Sequence, residues 1–148
     1  NDGNYLVYSC KNSTEHEAGS YRLMERSSFD GTMSSIKQKK NSWYNHPDYN
    51  PTCYHFMSAI TKKNLDTMGG FDERYANGYS FDDNEFLERI RRSPMKLINI
   101  PPDFCFCVHQ WHACTHPKGG NKDEGWKRNY RLFINVTKNE QGWTANDS

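Results

Sequence analysis

Residues 69–89, Gly-Gly-Phe-Asp-Glu-Arg-Tyr-Ala-Asn-Gly-Tyr-Ser-Phe-Asp-Asp-Asn-Glu-Phe-Leu-Glu-Arg, constrain this chain more than any other stretch. A double glycine tolerates the left-handed backbone that ends a helix, and it lets backbone pass close to a ligand or to another segment. The residues before it, from Thr61 to Met68, read as a short helix capped by Thr61. Residues 71–81 then read as a loop, and a second helix is expected from Asp82. Ser80 stands three residues before Asp83, which predicts a capping box. Asp82, Asp83 and Glu85 suit the positive end of that helix; Arg89, Arg91 and Arg92 suit the other end, and Pro94 stops it. Phe86, Leu87 and Ile90 give it one apolar face.

The surrounding pattern predicts an α/β fold, a mixed sheet flanked by helices. Strands are expected at 5–10, 53–60, 95–100 and 104–110, where β-branched and aromatic residues cluster. A further helix is expected over 123–137, with Trp126, Tyr130, Phe133 and Ile134 on one side. Residues 11–50 are polar and broken by Gly19, Gly31 and Pro47, so they read as a mobile loop region with at most a short helix at 21–25. The tail at 139–148 is polar and is expected to fray. The 148 residues fit one domain, 1–148.

Charge excludes some partners. Lys+Arg number 19 and Asp+Glu 18, a net of +1, with none of the basic excess that nucleic-acid binding needs. The basic run at 37–40 reads as a solvated loop. Mean hydropathy is -1.03, and no segment has the roughly 18 apolar residues of a membrane span. The five cysteines are too few and too scattered for a disulfide framework and read as free thiols of a reducing compartment.

Two adjacent carboxylates delivered by a loop to a helix start can take a proton from an attacking hydroxyl, or can simply cap the helix. Residues 53–112 resemble inverting glycosyltransferases of the GT-A fold, chiefly family 2, the β-1,4-galactosyltransferases and the chondroitin synthases. Gly69, Gly70, Phe71, Asp72 and Glu73 match the first part of their motif; Gly78, Tyr79, Asp82, Asp83, Glu85 and Arg89 match the second. The resemblance implies transfer of a sugar from a nucleoside diphosphate sugar to a glycan or other hydroxyl acceptor, with inversion. It places the catalytic base on Asp82 and a supporting acid on Asp83. Substrate contacts are expected at Gly69, Gly70, Tyr79 and Trp111, and the resemblance assigns a divalent ion, Mn²⁺ or Mg²⁺, to His109 with His112 as the second choice. Asp72 and Glu73 are expected to fix the loop, and Arg89 to pair with an acid of its own helix.

The family's Asp-x-Asp metal motif occurs nowhere in the sequence. The chain is therefore expected to be the acceptor-side, C-terminal half of the catalytic domain, partnered by a nucleotide-binding half and binding sugar nucleotide weakly or not at all by itself. The expected location is cytoplasmic or on the cytoplasmic face of a membrane, with the Golgi lumen as the alternative. Two rival readings use the same residues. Cys105, Cys107, His109, His112, Cys114 and His116 offer zinc-type donors for a small interaction module, though without the usual paired Cys-x-x-Cys knuckle. A non-catalytic glycan-binding domain is the other.

Overall fold

The computed structural model describes residues 3–12, 43–109, 123–139 and 142–146. The helix expected at 21–25 and the basic run at 37–40 lie outside them, as do Trp111, His112, Cys114 and His116. The class is α/β: among the described residues, five strands stand in an open, mixed arrangement with three α-helices. The strands are β1 (Asn4–Asn12), β2 (Trp43–Asn45), β3 (Ser58–Ile60), β4 (Lys96–Ile100) and β5 (Phe106–His109). The helices are α1 (Lys62–Thr67), α2 (Asp82–Arg92) and α3 (Glu124–Asn139). Two compact units divide the chain, one drawn from Asn1–Val7, Tyr54–Ile98 and Thr115–Ser148, the other from Tyr8–Cys53 and Asn99–Cys114.

In the first unit, the start of β1 pairs antiparallel with β3, Tyr5 opposite Ile60 and Val7 opposite Ser58. Tyr5 and Val7 alternate inward on the strand and are buried with Met68, Phe86, Leu87 and Ile90. Those three α2 residues are the apolar face read from the sequence, and each contributes about 1.5–3 kcal/mol by leaving water. Thr61 caps α1 as expected, its hydroxyl accepting from Asn64 N at 3.2 Å. Gly69 and Gly70 end it at φ +77° and +70°. A Cβ on Gly69 would lie 1.8 Å from the Ala145 carbonyl oxygen, whereas one on Gly70 would meet nothing. The tail is the reason. Residues 142–146 return to this turn: Ala145 N donates to Met68 O at 2.8 Å, and the Asn146 amide donates to Gly69 O and Phe71 O.

Two expectations are corrected here. The 53–60 stretch is not one strand. A 3₁₀ turn at His55–Met57 precedes the short β3. The capping box also fails, because Ser80 and Phe81 take φ +64° and +72° and no side chain caps α2. Left-handed non-glycine residues cost on the order of 1–3 kcal/mol each. Packing offsets that cost: the Phe81 ring sits 5.0 Å from Trp126 and 5.6 Å from Phe133, and Asn129 Nδ2 donates to the Ser80 carbonyl at 3.0 Å.

In the second unit, the end of β1 lies between β2, antiparallel, and β5, parallel. Residues 43–50, expected to be irregular, form β2 and a turn. The Asn45 side chain donates to Tyr8 O at 2.9 Å and accepts from Cys53 N at 3.0 Å, which pins β2 in place. β5 begins two residues later than expected, since Pro101 starts a turn closed by Phe104 N and Cys105 N on its carbonyl.

Candidate active site

The loop between α1 and α2 is built from the inside. Asp72 is buried and accepts from Arg74 through Nε at 2.9 Å, through Nη2 at 2.6 Å and through the backbone N at 2.9 Å. Burial alone would raise this carboxyl, yet the Arg74 hydrogen bonds and the nearby Arg89 hold it below its ordinary value. Asp72 thus fixes the loop, the role expected of it. Asn129 of α3, fully buried, donates to Tyr75 O and Ser80 O and clamps the other side. Gly78 is obligatory there, because a Cβ would fall 2.3 Å from Asn129 Oδ1 and 2.6 Å from Gly125 O.

The result is an open cavity of about 490 Å³ lined by Phe71, Asp72, Glu73, Tyr75, Ala76, Gly78, Tyr79, Ser80 and Asp82. Tyr79 and Asp82, both singled out from the sequence, line it; Gly69 and Gly70 do not. Gly69 serves the docking of the tail instead.

The two acids at the start of α2 have different surroundings. Asp82 borders the cavity. Asp83 contacts His55 through Oδ1 and the imidazole Nδ1. His55 is held by Phe71 at 4.6 Å and Phe86 at 6.2 Å, ring to ring. The close contact with the Asp83 carboxylate raises its pKa above the ordinary 6.5, against an opposing effect of burial, and the charge of Asp82 adds to the rise. The sign follows: the pairing is fully present below about pH 6.5 and is lost as pH rises through the raised value. In an NMR titration the His55 midpoint is expected above 6.5, and Asp83→Asn should bring it down. A wild-type midpoint at or below 6.5 would show that the pair does not form.

His55 was not singled out from the sequence. Its only signal is a titratable side chain inside the otherwise apolar, aromatic stretch 53–60. Asn129 likewise sits as a lone amide on the inward side of α3.

One donor atom each from His55, Asp82 and Asp83 lie within 4.8 Å of one another, the one such group of three His, Cys, Asp or Glu among the described residues. One imidazole and two carboxylates suit a divalent cation such as Mn²⁺ or Zn²⁺. His109, on β5 opposite Asn12 of β1, belongs to no such group, and neither do Cys105 and Cys107. The remaining members of the expected zinc stretch lie outside the described residues.

No protein-family profile, curated protein or solved structure matches this chain. No helix among the described residues is long and apolar enough to cross a membrane.

Proposed function

We propose that this chain carries the acceptor side of an inverting glycosyltransferase of the GT-A type, with Asp82 as general base. One observation supports it above the rest: of two adjacent carboxylates at the start of α2, one borders an open cavity while the other is engaged by a histidine. A base must reach its proton, and a paired neighbour can fix its orientation. In the proposed step the Asp82 carboxylate takes the proton of the acceptor hydroxyl. The hydroxyl oxygen forms a bond to the anomeric carbon as the bond to the nucleoside diphosphate breaks, and the diphosphate leaves with the electron pair. Tyr79 and Phe71 offer ring surface beside Asp82 for a sugar acceptor.

A divalent cation, Mn²⁺ or Mg²⁺, belongs to the proposal, and it would supply charge neutralisation for the leaving diphosphate. His109 is its expected donor in this chain. The convergence of His55, Asp82 and Asp83 favours a second reading, in which those three hold the cation and Asp82 is a ligand.

The protein that carries this chain should transfer sugar from a nucleoside diphosphate donor to a hydroxyl acceptor with inverted anomeric configuration. NMR of the product made from a panel of donors and acceptors reads this directly. Retained configuration would remove the base role of Asp82.

A further inference from the structure

The cysteines were expected to be free thiols of a reducing compartment, and the second unit places two of them in register on neighbouring strands. β1 and β5 run parallel in the register Ser9 to Phe106, Cys10 to Cys107, Lys11 to Val108 and Asn12 to His109. Residues in register on neighbouring parallel strands project from the same face of the sheet. Paired strands lie about 4.7–4.9 Å apart. Disulfides span Cα separations of about 4.4–6.8 Å, a range that contains the spacing of paired strands. Cys107 Sγ contacts the carbonyl of Ser9, the residue next to Cys10, at 3.4 Å. Their exposure differs: Cys10 is completely buried, whereas Cys107 is only partly so. Cys53 is committed elsewhere, buried with its thiol on the Asn99 side-chain oxygen at 3.4 Å.

We propose that Cys10 and Cys107 form a reactive dithiol which a small-molecule disulfide converts into an intrachain bridge between β1 and β5. The Cys107 thiolate, the accessible one, attacks one sulfur of the small disulfide. That sulfur–sulfur bond breaks, one small thiolate departs and a mixed disulfide forms on Cys107. Cys10 then gives up its proton to the departed thiolate and attacks the Cys107 sulfur, releasing the second small thiolate. Two protein thiols are oxidised and one small disulfide is reduced to two thiols. The buried partner stands in register beside the more accessible one, so the mixed disulfide is short-lived.

The test uses the full chain equilibrated with graded ratios of oxidised to reduced glutathione, then alkylated, digested without reductant and mapped by mass spectrometry. The expected product is a linked pair of peptides carrying Cys10 and Cys107, with both thiols lost together over one range of ratios. Cys10→Ser should instead keep glutathione on Cys107 as a stable adduct. Glutathione retained on Cys107 of the wild-type chain with Cys10 still alkylatable would overturn the proposal. So would linkage of Cys107 to Cys105 or Cys114 as the main product. The wild-type mapping decides the matter even where the serine variant does not fold.

Discussion

Arg89→Ala is expected to destabilise the chain by about 3–5 kcal/mol, the cost of leaving one member of a buried ion pair without its partner. The Glu85 and Arg89 side chains are 3% and 4% exposed, so the pair is almost wholly withdrawn from water. The pair is two-pronged, Nε to Oε1 at 2.6 Å and Nη2 to Oε2 at 2.9 Å, the fork geometry that makes such bonds strong. The third nitrogen donates to Met68 O at 2.9 Å, at the C-terminal end of α1. Arg89 therefore joins the two helices that bracket the 69–81 loop. Truncation strands the Glu85 carboxylate in a buried site and removes that tie. Urea denaturation measures the loss. Replacing Glu85 and Arg89 together by methionines should cost far less than Arg89→Ala, since neither charge is then left buried. A loss below about 1 kcal/mol for Arg89→Ala would mean that Glu85 is solvated or protonated in the folded chain.

Much of this neighbourhood was legible in the sequence because its signals are local. The apolar spacing of Phe86, Leu87 and Ile90, the Thr61 cap, the double-glycine stop and the four-residue step from Glu85 to Arg89 act within one helix or one turn. The features that escaped depend on partners distant in the chain. Ser80 and Phe81 were read as a normal helix entry, and the packing of Phe81 on Trp126 and Phe133, with the Asn129 bond to the Ser80 carbonyl, holds their left-handed backbone. The tail looked free because nothing in its own composition shows that Ala145 and Asn146 meet the backbone of 68–71. His55 escaped because its stretch reads as a strand by composition, and a 3₁₀ turn re-aims the imidazole toward Asp83. β2 escaped for the same reason: it is three residues long and is held by Asn45, a residue with weak strand propensity.

Asp82→Asn in the protein that carries this chain should lower turnover by about 10²–10⁴-fold while leaving the fold intact, the range that a general base contributes. Asparagine keeps the size and one acceptor oxygen of aspartate but cannot take the proton. The fold is insulated because α2 is built without a side-chain cap, so Asp82 is not the residue that closes its first turn. Asp83→Asn should cost less, and its mark is a changed pH dependence, since His55 then loses the partner that raises it. These two substitutions also separate a base from a cation ligand. If Asp82 holds a cation with His55 and Asp83, then His55→Ala, Asp82→Asn and Asp83→Asn weaken one site, and raising Mn²⁺ restores each of them in part. If Asp82 is the base, added Mn²⁺ leaves Asp82→Asn as slow as before, whatever it does for the others. Turnover unaffected by Asp82→Asn, or restored by the metal, removes Asp82 from the proton transfer. Slow turnover that no metal concentration repairs places the proton on the carboxylate that borders the cavity, with its neighbour held aside by His55.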